Sequence, residues 1–177
     1  AVLTFAALRP ELVAGVCSLN GTANHMEYDK FQDAIAASFG GTKTQVPDEY
    51  KKRSAELWPE KFTMPVAFTT GGRDELVPPQ SVLRLAEKLK QAGRKTLLLH
   101  REAGGHSTTY EDTVAALEFV LREGGLSQQP ICGRPSRSAC LKAFVCMVVV
   151  AAAAAGGHPH EVKASPPRPL ARVAAED

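Results

Sequence analysis

Short apolar runs alternate with amphipathic stretches along the first 125 residues. The apolar runs are five or six residues long and end near Gly, Pro or Asn, which is typical of strands buried in a parallel sheet. The amphipathic stretches carry apolar residues three or four positions apart, which is the spacing of one helix face. The pattern predicts strands at 12–17, 65–70 and 96–100, and helices at 1–8, 79–91 and 110–122.

The same spacing predicts which residues of two helices pack inward. In the helix at 79–91 the inner residues are Val82, Leu83, Leu85, Ala86 and Leu89. In the helix at 110–122 they are Val114, Leu117, Val120 and Leu121. Glycines just beyond each helix are expected to end it, because Gly adopts the left-handed conformation found at helix C-termini.

Residues 22–62 interrupt the alternation, since they are more polar and favour helix. Helical spacing of apolar residues predicts one helix over 26–39, with Phe31 and Ile35 on its inner face. A second helix is predicted to begin at Pro47, because Pro is favoured in the first turn and acidic residues follow it there. We interpret 22–62 as a helical excursion from the sheet, or cap.

Alternating strands and helices predict an α/β fold, with a parallel sheet flanked by helices over residues 1–125. From Leu126 the pattern dissolves into sequence rich in Pro, Ser and Gln, so 126–177 is predicted to be a low-complexity, disordered tail. This tail contains an apolar run at 143–155. The run is shorter than the roughly 20 residues of a membrane-spanning helix, so we expect no span.

Composition and charge fit one globular domain. The chain has 177 residues, of which 44% are hydrophobic and 23% charged, and a net charge of +2, which gives no reason to expect nucleic acid. Residues 1–125 carry a net charge of −1 and residues 126–177 carry +3, which supports a boundary near Leu126. The cysteine spacings match neither a zinc site nor a disulfide framework. The compartment therefore stays open, with the cytoplasm as the default expectation.

Asp74 and His106 are the candidate catalytic residues. Asp74 follows the strand predicted at 65–70, and His106 follows the strand predicted at 96–100. Because parallel strands end at one edge of a sheet, both side chains are predicted to reach the same crevice. A catalytic histidine needs a carboxylate that orients it and a nucleophile that it deprotonates. The alternative interpretation is two polar loop residues that never meet.

The segments around both residues resemble those of α/β-hydrolases. Residues 71–78, Gly-Gly-Arg-Asp-Glu-Leu-Val-Pro, resemble the Gly-x-x-Asp-x-x-Val-Pro segment of the prolyl-oligopeptidase and dienelactone-hydrolase branches. Residues 105–107 resemble the family's Gly-His loop, and 1–16 is similar to the helix after the nucleophile together with the next strand. The resemblance, which covers about residues 1–123, implies hydrolysis of an ester or peptide bond. It implies Asp74 as triad acid and His106 as triad base, with no metal or organic cofactor.

The resemblance also implies a serine on a Gly-x-Ser-x-Gly elbow, which is expected shortly before Ala1. We therefore expect a partial hydrolase fold that lacks its opening strands and nucleophile elbow, and no turnover by this chain alone. Ser38 lies in an Ala-x-Ser-x-Gly string but follows a helical pattern, and Cys17 ends a predicted strand without flanking glycines. A helix end and a core position are the preferred interpretations. A non-catalytic product or binding module is the alternative to an enzyme.

The remaining candidates are interpreted as structural. Tyr28, Trp58 and Phe62 are expected to pack, with the lining of a lid pocket as the alternative, and His25 and His100 are expected to be structural histidines. His158 and His160 are potential metal ligands without a supporting cluster, so no metal is expected. The expected partner is a small ester or peptide substrate. The sequence leaves the oligomeric state open.

Overall fold

A computed structural model of the chain describes residues 1–125, which form a three-stranded parallel sheet with helices on both faces. The predicted α/β class is confirmed. The strands are β1 (Val16–Leu19), β2 (Val66–Gly71) and β3 (Thr96–Arg101), in the order β1-β2-β3. The helices are α1 (Val2–Leu8), α2 (Gln32–Phe39), α3 (Pro47–Arg53), α4 (Gln80–Gln91) and α5 (Tyr110–Glu123).

The three strands start in register, and β1 ends two residues before β2 and β3. Val16 pairs with Val66, which pairs with Thr96, and Leu19 pairs with Thr69, which pairs with Leu99. Since all pairs are parallel, the segments that leave the carboxyl ends of the strands emerge along one edge of the sheet. This edge carries both the loop after β2 and the loop after β3.

Each face of the sheet has its own apolar layer. On one face α1 and α4 bury a larger cluster that includes Leu3, Val16, Phe68, Leu85 and Leu89. On the other face α5 covers a smaller cluster of Cys17, Ala67, Ala116 and Val120. Strand β2 is buried along its whole length, which is why its sequence is continuously apolar or small rather than alternating.

The strand predicted at 12–17 is wrong at both ends. Residues Pro10–Leu12 form a single 3-10 turn, Leu12 is 43% exposed, and β1 begins only at Val16. Val16 N–H donates to the carbonyl of Pro65, which is where pairing with the β2 segment starts. An apolar run does not reveal where a partner strand first becomes available, so periodicity placed the strand too early.

The helix predicted at 26–39 is shorter than expected. The side chain of Asn24 accepts hydrogen bonds from the backbone N–H groups of Met26 and Glu27, which favours a turn there. Helix α2 begins at Gln32, after Phe31 at φ 54° with 63% of its surface exposed, so Phe31 is not an inner residue. The first six residues of the predicted helix, 26–31, are therefore not helical.

The inward face of α5 also differs from the prediction. Val120 is buried as expected, but Leu121 is 38% exposed and Ala116 is buried in its place. The inner residues of α4 agree better, since Val82, Leu85, Ala86 and Leu89 are fully buried, with Leu83 partly so. The predicted tail at 126–177, with the apolar run at 143–155 and His158 and His160, lies outside the described residues. Within residues 1–125, no helix combines the length and apolarity that crossing a bilayer requires.

Candidate active site

The loop after β2, residues 72–79 (the acid loop), holds Asp74 in a fixed orientation. Its Oδ1 atom accepts hydrogen bonds from the backbone N–H groups of Leu76 at 3.0 Å and Val77 at 2.8 Å. The Asp74 side chain is 1% exposed. Buried carboxylate oxygens need such donors, and here the loop's own backbone supplies them. One oxygen is therefore committed to the loop, and Oδ2 is left for another partner.

That partner is His106, in the loop of residues 102–109 between β3 and α5 (the His loop). Its Nδ1 atom lies 2.8 Å from Oδ2 of Asp74, and its side chain is 20% exposed. An ionised carboxylate only accepts hydrogen bonds, so the contact assigns the ring proton to Nδ1 and leaves Nε2 as the acceptor. No side chain within residues 1–125 forms a hydrogen bond with Nε2. The structure thus brings together the two residues that the sequence singled out.

The two loops are joined through their backbones. The carbonyl of Arg101 accepts N–H groups from Gly72 of the acid loop and Gly104 of the His loop, both at 2.8 Å. In return Gly104 offers its carbonyl to Arg73 N–H at 2.8 Å. A Cβ atom on Gly71 would lie 2.2 Å from the carbonyl oxygen of Gly105, which is far inside van der Waals contact. The approach of the loops, and with it the Asp74–His106 contact, requires glycine there.

Side chains anchor the far end of the His loop. The guanidinium of Arg101 donates from Nε to Oδ2 of Asp112 at 2.9 Å and from Nη2 to Oδ1 at 2.5 Å. This hydrogen bond lowers the pKa of Asp112, and Arg101 is the main cause. The hydroxyls of Thr69 and Thr108 lie 2.7 Å apart and tie the loop to β2. Sequence reasoning missed these partners because each pair joins different elements.

The excursion reaches the acid loop through one tyrosine. The Tyr28 hydroxyl donates to the carbonyl of Leu76 at 3.1 Å, two residues beyond Asp74. Burial raises the pKa of Tyr28, and the negative charge of Asp74 raises it further. A cavity of about 360 Å³ lies between the excursion and α4, lined in part by Asn24, Tyr28, Pro78 and Arg84. Tyr28 therefore borders a pocket, which is the alternative that the sequence left open for it.

A polar network fastens the excursion to α4. The buried carboxylate of Glu56 accepts hydrogen bonds from Asn24 at 3.0 Å and from Arg84 at 2.6 and 2.8 Å. Arg84 also contacts the exposed Glu27. The Arg84 hydrogen bond is the main reason why the pKa of Glu56 is lowered.

The other candidates lie apart from this dyad. His100 Nδ1 lies 2.8 Å from the Thr70 hydroxyl, and burial lowers the pKa of His25 to about 4. Ser38 is exposed on α2, and Cys17 is buried in β1. Phe62 is fully buried, whereas Trp58 is partly buried and donates to the carbonyl of Lys51. Across residues 1–125 no three His, Cys, Asp or Glu side chains gather in a way that suits a metal ion.

Comparisons with known proteins agree with the geometry. Residues 1–124 match the model of the prolyl oligopeptidase family. A direct comparison with curated protein sequences gives no significant match. Among solved structures, the chain is similar to the acylaminoacyl peptidase of Pyrococcus horikoshii, with 18% identity and a TM-score of 0.53, over 74% of this chain and 23% of that one.

A second similar structure is a puromycin hydrolase, with 19% identity and a TM-score of 0.58, over 75% of this chain and 21% of that one. The chain thus spans less than a quarter of the length of either protein. At these identities the likeness establishes the fold, which is that of part of an α/β-hydrolase domain.

Proposed function

The chain belongs to the prolyl oligopeptidase family, and we propose that Asp74 and His106 are the acid and base of a Ser-Asp-His triad. The observation that carries the proposal is the 2.8 Å contact between Nδ1 of His106 and Oδ2 of Asp74, at the ends of neighbouring parallel strands. The order in the chain, acid before histidine, is also that of α/β-hydrolases.

In the proposed mechanism each residue has a defined task. A serine attacks the substrate carbonyl, and Nε2 of His106 takes the serine proton and then delivers it to the leaving group. Asp74 fixes the tautomer of His106 and stabilises the ring when it is protonated. Because Oδ1 of Asp74 is already held by two backbone donors, the carboxylate does not rotate away from the imidazole. These steps use no metal or organic cofactor.

The proposed substrate contains a peptide or related acyl bond. The family supports a peptide, and the two similar structures are named for cleavage of acylaminoacyl peptides and of puromycin. Ester hydrolysis is included because the same acyl-transfer chemistry serves both bonds. Residue choice at the cleaved bond is left to groups outside the dyad.

We propose that the nucleophile lies outside residues 1–125. Among residues 1–125, Ser18, Ser54 and Ser81 are buried, and Ser54 and Ser81 are engaged in hydrogen bonds elsewhere. Ser38 lies on a surface helix, whereas an elbow requires a strand followed by a turn and a helix. Ser107 directly follows the base in the His loop. A non-catalytic product is the second candidate, and this placement of the serines favours it for the chain taken alone.

The decisive experiment compares two polypeptides. The 177-residue chain is assayed with a p-nitrophenyl ester and an aminoacyl p-nitroanilide, and we expect no turnover that depends on His106. A longer polypeptide is then assayed, in which the chain is preceded by any residues that the gene encodes before Ala1. If that sequence carries a strand and a Gly-x-Ser-x-Gly elbow, we expect turnover, and Asp74→Asn is expected to lower kcat by about 10⁴-fold.

His106→Ala is expected to have at least as large an effect, while the matched control His100→Gln is expected to stay within about twofold because His100 contacts Thr70 and not the dyad. Full activity of His106→Ala in the longer polypeptide would overturn the proposal. If the preceding residues carry no such elbow, a non-catalytic role would be the candidate that remains.

A further inference from the structure

We infer that Arg101 and Asp112 are positioning residues for His106, and that their ion pair sets the conformation of the His loop in which Nδ1 reaches Asp74. The inference rests on the proposed function, since it concerns the base of the same dyad. Neither residue contacts the dyad, so both act through the loop that they close.

The pair brackets the His loop in sequence and in space. Arg101 is the last residue of β3, five residues before His106, and Asp112 is in the first turn of α5, six residues after it. Two guanidinium nitrogens of Arg101 each donate to a different carboxylate oxygen of Asp112, at 2.9 and 2.5 Å. A two-pronged Arg–carboxylate contact fixes direction as well as distance. The ends of the loop are therefore held at a defined separation and angle.

Arg101 also connects the pair to the acid loop. Its carbonyl accepts N–H groups from Gly72 and from Gly104, so its backbone lies at the junction of the two loops. A shift of the Arg101 side chain toward solvent is therefore expected to move the Arg101 backbone, which aligns the two loops that carry Asp74 and His106. The helix end is equally constrained, because Asp112 N–H donates to the hydroxyl of Thr109, which caps α5.

Packing alone does not hold the loop. A cavity of about 120 Å³ lies against it, lined in part by Thr69, Gly104, Thr108 and Asp112. Dense packing resists displacement, whereas a cavity leaves room into which a loop can move. With space beside the loop, the ion pair and the Thr69–Thr108 contact add to the backbone hydrogen bonds of Gly104 in selecting one position for it.

A simpler role for Asp112 would be to stabilise the start of α5, where a negative charge favours the helix dipole. That role needs no particular partner, so replacing Arg101 would not affect it. The positioning role needs both residues. The two roles are separated by the Arg101 variants, which leave Asp112 and the Thr109 cap in place.

The test uses the full chain with isotope-labelled histidine. In the unaltered chain the proton on Nδ1 of His106 is expected to resonate downfield of the amide region, and Asp74→Asn, which removes it, identifies the signal. We expect Asp112→Asn and Arg101→Gln to broaden or abolish that signal and to speed amide exchange in the His loop by about tenfold or more. Arg101→Lys keeps the charge but loses the fork geometry, and an intermediate effect is expected.

The matched control is Glu56→Gln, which breaks a second contact in which an arginine forms two bonds with a buried carboxylate. It lies between the excursion and α4, so the His106 signal is expected to persist. An unchanged signal in Asp112→Asn or Arg101→Gln would refute the inference. If Asp112→Asn does not fold, Arg101→Lys decides, because the Arg101 side chain is 63% exposed and Lys keeps a positive charge beside the buried Asp112 carboxylate.

Failure of the proposed function is distinguishable from failure of the inference. Loss of the signal in the Arg101 variants, together with no His106-dependent hydrolysis in the longer polypeptide, would sink the function and keep the positioning. Where hydrolysis is present, Arg101→Gln is expected to lower kcat by about 10- to 100-fold with little change in KM, as a misplaced base would.

Discussion

The His loop and the excursion both contact the acid loop, and each is held by an arginine that forms an ion pair with a buried carboxylate. Asp112 is 4% exposed and pairs with Arg101, and Glu56 is 5% exposed and pairs with Arg84. The His loop has backbone hydrogen bonds to the acid loop in addition. The excursion touches the acid loop through the hydroxyl of Tyr28, and α4 through side chains such as Asn24 and Glu56.

This difference separates two kinds of constraint. Backbone hydrogen bonds do not depend on side-chain identity, although the close approach of the backbones at Gly71 leaves no room for an added atom. Side-chain networks are lost one residue at a time. The loops that carry the dyad are held by both kinds of contact, because the Arg101–Asp112 pair adds side-chain bonds to the backbone hydrogen bonds. The excursion is joined to the acid loop and to α4 through side chains, so changes in that network are expected to loosen the excursion while the dyad stays in place.

Gly71→Ala is expected to have the largest effect, because it tests the close backbone approach of the acid loop and the His loop. The added Cβ would lie 2.2 Å from the Gly105 carbonyl oxygen and 2.4 Å from that of Gly104, and backbone atoms do not move aside as side chains do. We expect a loss of about 3 kcal/mol in the free energy of unfolding, measured by urea denaturation, and loss of the His106 Nδ1 proton signal.

Gly105→Ala is the matched control for that change. A Cβ at Gly105 meets no atom within 4 Å, so we expect a stability change of about 0.5 kcal/mol or less. Equal effects of the two substitutions would show that the loops do not depend on their close approach.

Glu56→Gln tests the side of the excursion. It removes the charge that Arg84 and Lys88 share and is expected to cost about 2 kcal/mol. Amide exchange should increase within 22–62 and stay low in β2 and β3. Glu27→Gln is the control, because Glu27 contacts the same Arg84 from a 59% exposed position and such pairs contribute about 0.5 kcal/mol. Faster exchange throughout the sheet in Glu56→Gln would argue that the two regions are not separately held.

His25 sharpens the comparison through pH. Burial lowers its pKa to about 4 from 6.5, so between those values the unfolded chain binds more protons than the folded chain. The part of the free energy of unfolding that depends on neutral His25 is fully present above about pH 6.5 and is lost as the pH falls toward 4. Between pH 7 and pH 5 we expect a loss somewhat below about 2 kcal/mol. The ring centroids of His25 and Phe39 lie 5.2 Å apart, so His25→Phe is expected to keep this aromatic contact. The variant should flatten the dependence of the free energy of unfolding on pH, measured by denaturant titrations at several pH values. An unaltered slope would assign the pH dependence to other groups.

The sequence predicted the parts of the molecule that follow from local pattern. Strands β2 and β3 are apolar runs with turn residues on both sides, and their parallel pairing places Asp74 and His106 at one edge by geometry alone. Helix α4 has a regular apolar stripe, and its inner residues agree with the prediction. These features need no knowledge of distant partners.

Features that depend on distant partners were predicted poorly. The start of β1 is set by its pairing with the Pro65 segment. The late start of α2 is a local exception, because the Asn24 side chain forms a turn with Met26 and Glu27 that the helical spacing did not reveal. The Arg101–Asp112 contact joins a strand end to a helix start, and nothing in either stretch marks the other as its partner. The requirement for Gly71 arises only when two loops approach each other.

The carbonyl oxygen of Arg101 receives one donor from each loop, so acid and base share a single anchoring atom. Grafting either loop alone onto another parallel sheet would transfer only half of this arrangement. A transplant that spans β2 through the first turn of α5 would carry the complete geometry, which makes that stretch the smallest portable module for engineering.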